Sequence, residues 1–408
     1  MEIIKSHRKH KNGIFQRIVS VTAVCLVFAV MQGIHDNYGI MLGGIIEHTN
    51  ISYAAVSFVI AAGQILYGAT QPLFGMLAIK KSNIFVMLCG IVLMAAGLIA
   101  TPFCTTIFSL LIFFGIILPA GTGALCFGIV MGAVSPIIGE KRAALVSGIV
   151  QASAGIGDAL MSPGLQYLTD WKGISVSMPL FSIPILLMLP VVIWLGRYRK
   201  KQSAELKQIT ENKNNDEKLF SILRKSIADP TYWCLLIGFS TCGFHMAIIE
   251  THLFSQYVSS GISGNTASFA LTVYGITTML GSVITGFLGQ KFRMKNVLSM
   301  VYAVRVIIAV GFIVIPKSAA FAFIATALLG LTGDSTVAPT TGIISAKVGV
   351  EKMAVVYGSI FIGHQIGAFT SAWLGGILVN TALGYSSLWI IDLCLCLTAA
   401  IASFSIRD

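Results

Sequence analysis

The chain has 408 residues, of which 56% are hydrophobic and 11% charged, and its mean hydropathy is +0.85. That composition excludes a water-soluble globule, which needs far more polar residues to cover its surface. The net charge of +11 does not point to nucleic acid, because the basic residues are scattered along the edges of apolar segments with no folded basic domain.

Twelve apolar stretches are each long enough to cross ~30 Å of hydrocarbon as a helix. In chain order they run over 17–46, 52–78, 83–103, 107–134, 143–168 and 174–196, then 231–258, 265–289, 296–316, 319–345, 353–379 and 386–405. The first is too long, and too Gly-rich at its end, to be a cleaved signal peptide. Between the sixth and seventh lies a polar segment with Arg-Tyr-Arg-Lys-Lys at 197–201. The predicted organisation is an N-terminal six-helix half (1–196), a linker (197–229) and a C-terminal six-helix half (230–408). An even helix count puts both termini on one side. Of the 27 Lys and Arg, 24 sort to that side, while Lys172 and Lys317 fall on the other and Arg305 falls within a helix. By the excess of positive charge on cytoplasmic loops, the terminal side is cytoplasmic. Short loops suit a multi-pass protein of a bacterial inner membrane.

The halves repeat each other. Gly33-Ile34-His35 recurs as Gly243-Phe244-His245 at offset 210, and Gly75 with Lys80 recurs as Gly286 with Lys291 at 211. Glu140-Lys141 recurs as Glu351-Lys352, and Gly148 with Gly157 recurs as Gly358 with Gly367. A shared offset across four separate places indicates internal duplication, and the functional site of such a chain is expected between the repeats.

Two six-helix halves, a cytoplasmic central linker, and Gly75-Met-Leu-Ala-Ile-Lys-Lys81 echoed by Gly286-Phe-Leu-Gly-Gln-Lys291 resemble the major facilitator superfamily along the whole chain. The resemblance implies an all-α integral membrane protein of twelve helices in two pseudo-symmetric halves. It also implies a monomeric secondary transporter of a small molecule, with no cofactor. Members carry an Asp before the basic residue of that loop motif; here Ile79 and Gln290 stand there, while Lys80, Lys81, Lys291, Arg293 and Lys295 keep the basic part. A charge latch is thereby weakened, and plain positive-inside anchoring is the simpler role for these lysines. Cys242-Gly-Phe-His245 through Glu250-Thr-His252, and the stretch from Gly363 to Gly376, look most like the bacterial branch near monocarboxylate and oxalate-formate carriers. Thr278 and Ser282 stand where monocarboxylate carriers have an Asp and an Arg four residues apart, a departure from that pattern.

Ionisable side chains within a bilayer are costly and so are candidates for function. They are His35, Asp36, Asp158, His245, Glu250, His252, Arg305, Asp334 and His364. The resemblance puts the first and fourth helices of each half, with neighbouring second and fifth helices, around the central cavity. The preferred substrate-binding or proton-coupling set is therefore His35, Asp36, His245, Glu250, His252, Asp334 and His364, with Gln32, Asp158, Arg305 and Gln365 as weaker candidates. His245 and His252, seven residues apart, are expected on one helix face, with Glu250 turned about 140° from the first. The two matched histidines, His35 and His245, are expected near the pseudo-twofold axis. Each histidine also has a plain alternative, a packing residue bonded to a carbonyl. The sequence has no metal-ligand cluster, nucleophile elbow or nucleotide loop, so neither catalysis nor a metal is expected. The leading expectation is proton-coupled transport of a small organic anion by alternating access. The alternatives are a proton-driven exporter of neutral or cationic compounds and a transporter-like sensor.

Overall fold

The computed structural model describes residues 2–138, 140–206 and 219–407, and among these all regular structure is helical. The part of the expected linker from 207 to 218 lies outside the described residues. The membrane helices are α1 (Gln16–His35), α2 (Tyr53–Lys80), α3 (Asn83–Phe103), α4 (Ile107–Ile138), α5 (Leu145–Lys172) and α6 (Ile174–Arg197). The second half supplies α7 (Pro230–Ser259), α8 (Gly264–Lys291), α9 (Met294–Val314), α10 (Ala319–Val348), α11 (Val350–Leu378) and α12 (Ser386–Phe404). Eleven are apolar enough to cross a membrane by length and composition. The other, α11, has the length but carries His364, Gln365, Thr370 and Ser371 through its middle.

Serine caps start several of these helices. The side chains of Ser52, Ser82, Ser263 and Ser318 accept the backbone N–H of Ala55, Phe85, Thr266 and Phe321, which satisfies a donor that the first helical turn leaves free. Asp229 does the same for α7. Its Oδ1 accepts the Thr231 N–H at 2.8 Å and its Oδ2 lies 3.6 Å from Lys347 Nζ. That backbone N–H, and then the ammonium, hold the Asp229 carboxyl below the usual aspartate range.

Packing follows the repeat. Within the first half α1 lies on α5, α2 on α4 and α3 on α6; within the second α7 lies on α11, α8 on α10 and α9 on α12. The halves meet along two seams, α5 against α8 and α2 against α11. The repeated glycines explain the first of these pairings. A Cβ on Gly33 would strike the Gly157 backbone, and one on Gly243 would strike the backbone of His364, so each fifth helix crosses its first at van der Waals contact between main chains. Gly155 and Gly275 do the same across the α5–α8 seam.

The first and fourth helices of each half, expected as continuous spans, are all interrupted. α1 stops at His35, turns through Asp36 and Asn37, and continues as Tyr38–Thr49. α4 has a π segment, Leu111–Ile117, and a break at Leu125 and Cys126. α7 has a π segment, Ile248–Leu253, and α10 breaks at Gly333 into a 3-10 turn, Asp334–Thr336. Such interruptions free backbone groups and are tolerated at membrane depth where protein or a cavity receives them.

The seams are tightest from mid-depth to the face opposite the termini. There Gly39 lies against the Glu250 carbonyl, Tyr53 Oη is 2.9 Å from His252 Nδ1, and the Tyr385 hydroxyl donates to Tyr53 Oη at 3.3 Å. Toward the terminal face, the repeat-matched glycines Gly75, Gly148, Gly286 and Gly358 have open space around them.

Candidate functional site

The α1 break delivers Asp36 to the boundary between the halves. Its carboxylate accepts Gln32 Nε2 at 2.8 and 3.1 Å, and His35 Nδ1 lies 2.9 Å from its Oδ1. Facing it from the other half, within the α7 π segment, is Glu250, whose Oε2 accepts Gln64 Nε2 of α2 at 3.0 Å. Donor atoms of His35, Asp36 and Glu250 all lie within 4.8 Å of one another. Asp158, on α5, is 4% exposed and its Oδ1 has no hydrogen-bond partner.

Asp36, Asp158 and Glu250 line one pocket together with Asn37, Ser162, Ile249, Leu271 and Tyr274. It leaves about 10 Å³ for the centre of a water-sized sphere, enough for about one water and far too little for an organic solute. No Lys or Arg is among the lining residues. Asp334, at the α10 break, joins the seam nearby, where its Oδ2 accepts Gln151 Nε2 of α5 at 3.4 Å.

The histidines divide. His35 stays beside Asp36 of the pocket, its ring tilted against those of Tyr38 and Tyr67 with centres at 5.1 and 4.7 Å. Its repeat partner does not reach the axis. His245 is fully buried inside the second half, with Nδ1 2.8 Å from Asp392 Oδ2 on α12. His252 is also buried, but it points to Tyr53 of α2 and the Ala372 carbonyl of α11, at 2.9 and 3.1 Å. The expected shared face of His245 and His252 is therefore corrected by the π segment, whose N–H groups bond five residues back and insert one residue between them. His364 packs on Phe361 and Phe239, with ring centres at 5.3 and 5.0 Å. Gln365 is buried beside Gly68 across the α2–α11 seam. Arg305 bonds to carbonyls of the α10 break.

Loop-motif residues Lys80, Lys81, Gln290, Lys291 and Arg293 are exposed on the terminal face. Two groupings have donor spacing that a metal ion could bridge, His35–Asp36–Glu250 and His245–Asp392–Cys396; hydrogen bonds already tie His35 to Asp36, Glu250 to Gln64, and Asp392 to both His245 and Cys396.

Several residues of the site escape a search restricted to ionisable groups. Gln64 and Gln151 reach across the halves to Glu250 and Asp334, and Asn37 accepts from Ser162 at 2.6 Å. Asp392 is ionisable and in a helix, and its signal was present in Trp-Ile-Ile-Asp392-Leu-Cys. It belongs to the same class of membrane carboxylate as the others.

This architecture has matches among known proteins. The Major Facilitator Superfamily model matches residues 24–261 and again 253–408, one match for each half. The chain belongs to the Major Facilitator Superfamily. It is a multi-pass membrane protein with the fold of that superfamily's transporters. Monocarboxylate transporter 12 of Xenopus laevis is 23% identical over 325 residues, 74% of this chain and 69% of that protein. The Bacillus subtilis MFS-type transporter YcxA is 21% identical over 90% of each chain. Among solved superfamily structures, a D-xylose–proton symporter superposes with a TM-score of 0.71 at 12% identity, covering 96% of this chain and 98% of that one. A bacterial homolog of the human lysosomal transporter Spinster, inward-facing and unoccupied, superposes with 0.71 at 14% identity, covering 95% and 94%. At these identities the structures establish the fold alone.

Proposed function

We propose that this protein is a proton-coupled secondary transporter that carries a small monocarboxylate across a bacterial inner membrane, as a monomer with cytoplasmic termini and halves at 1–196 and 230–408. The observation that carries the coupling is the meeting of Asp36, Asp158 and Glu250, from both halves, in one small pocket with no Lys or Arg in its lining. Like charges at such separation in a low-dielectric site repel strongly, so protons are the natural counter-ions of the cluster. Because Asp36 and Asp158 belong to one half and Glu250 to the other, a proton count that changes in the pocket changes the attraction between halves. That is the differential interaction an alternating-access cycle requires.

Two features bear on how the cycle runs. The Tyr53–His252–Tyr385 contacts seal the face opposite the termini. The open surroundings of Gly75, Gly148, Gly286 and Gly358 support a chain splayed on its terminal face. In this orientation the protein rests inward-facing, and His35, Asn37, Ser162 and Tyr274 offer donors to a carboxylate once the pocket widens. The monocarboxylate assignment rests on the relatives of that name. A second reading, exchange of a cationic or neutral solute for protons, is favoured by the acidic lining itself.

The test is uptake of labelled monocarboxylates and of labelled organic cations into proteoliposomes, with and without an imposed pH gradient, beside empty vesicles. Saturable, gradient-driven carboxylate uptake supports the first reading. Movement of cations alone transfers the assignment to the second, and gradient-independent transport of either removes the proton cycle.

A further inference from the structure

Among the described residues, Arg305 is the one buried Lys or Arg, and it sits at 0% exposure on α9, away from the acidic pocket. A buried guanidinium needs partners for its donors; here Nη2 takes its partners from the backbone, while Nε and Nη1 are buried without a hydrogen-bond partner among the described residues. Its Nη2 donates to the Thr332 carbonyl at 2.6 Å and to the Gly333 carbonyl at 2.7 Å. The Tyr302 ring lies 5.5 Å from its Cζ. In a continuous helix those two carbonyls would accept from Thr336 and Val337; here the Val337 N–H goes to the Asp334 carbonyl instead. Arg305 therefore supplies the donors that the α10 break removes. From the other side α8 closes on the same break, since a Cβ on Gly281 would strike the Leu331 carbonyl and crowd Ser335.

The residue immediately after these carbonyls is Asp334, the acidic side chain that meets Gln151 of the first half. We infer that Arg305 is a positioning residue: by capping the Thr332 and Gly333 carbonyls it keeps α10 broken, and the break holds Asp334 on the seam between the halves. The local role stands on geometry; its consequence for transport rests on the proton cycle proposed above. The charged and titratable groups around Asp334 are Asp36, Asp158, Glu250, His364, Tyr274, Tyr357 and Arg305 itself. A shift in any pH profile is therefore assigned to Asp334 only through the double variant.

The experiment compares R305M, R305K, R305Q, D334N and R305M/D334N in purified full-length protein. Hydrogen–deuterium exchange is expected to depart about tenfold from the parent rate in peptides covering 329–338 of R305M, as α10 either closes over the uncapped break or frays at it, to stay near the parent rate in R305K, and to be unchanged in α1 to α6. In proteoliposomes R305M should lower the maximal rate about tenfold with KM little changed, R305K should recover most of it, and R305M/D334N should be no slower than D334N alone. Parent-like exchange over 329–338 in R305M overturns the local role. Full additivity of R305M and D334N overturns the transport role. Where R305M fails to fold, the R305K and R305Q pair decides by the same criteria. The exchange arm needs no solute, so a failed carboxylate assignment leaves it readable.

Discussion

Replacing Asp36 by Asn isolates the charge in the pocket from its shape. The amide keeps the size of the carboxylate and one of its acceptors, but it cannot exchange a proton. With Asp36 and Glu250 donor atoms within 4.8 Å, repulsion between two ionised carboxylates amounts to about 3 kcal/mol at an effective dielectric constant of about 20. That repulsion opposes closure of the halves whenever both are charged, and D36N removes it along with the coupled proton. The variant should therefore close readily and exchange solute at equal pH on both sides. Under a gradient of one pH unit, a carrier moving one proton per solute accumulates the solute about tenfold, equivalent to 1.4 kcal/mol, and D36N should lose that factor. The assay is steady-state accumulation in proteoliposomes at several imposed gradients, beside counterflow at equal pH. Parent-like accumulation by D36N would refute the assignment of the coupling proton to this residue.

Other perturbations separate support from chemistry. D392A leaves His245 buried opposite an apolar side chain, so it should destabilise the protein by about 3 kcal/mol in a detergent melt, while any folded fraction keeps its response to the pH gradient. D229A removes the α7 cap and should cost about 1 kcal/mol near neutrality. Because the folded Asp229 carboxyl lies below its unfolded value, that contribution is present above the ordinary aspartate range and lost as pH falls through the folded value. Melts of D229A and the parent should thus converge only on acidification below that range; convergence already near neutrality would show that the charge is not involved. Y53F breaks the hydroxyl contacts to His252 and Tyr385 and should shift the balance of open faces about fivefold. Labelling of S57C by a membrane-impermeant maleimide from the face opposite the termini should rise accordingly in the Y53F background, and unchanged labelling would show that the seal lies elsewhere.

Much of the fold is written in features that a chain reveals by itself. Apolar length gave the twelve helices, and the 210-residue offset anticipated that α1–α5 and α7–α11 pack alike, because Gly33 and Gly243 sit at equivalent crossings. The central acids were also legible, since Asp36, Asp158, Glu250 and Asp334 announce themselves as charges in apolar helices. Their partners were not. Gln64 and Gln151 are ordinary neutral residues until another half places a carboxylate beside them. The orientation of His245 was hidden for a different reason: it depends on a π segment, and regular 3.6-residue periodicity carries no sign of one. Asp392 was legible by the same criterion as Asp334, and its pairing with His245 came from tertiary packing.

The interruptions in α1, α4, α7 and α10 have a mechanical meaning. A continuous rod through the bilayer transmits a tilt at one mouth directly to the other. A rod jointed near its middle does not: its two segments swing about the joint, and the joints of α1 and α7 lie in the wall of the acidic pocket. Each jointed helix can therefore tilt on one side of its joint while its other segment stays packed, so the two sides of the pocket can move in sequence rather than as one rigid lever.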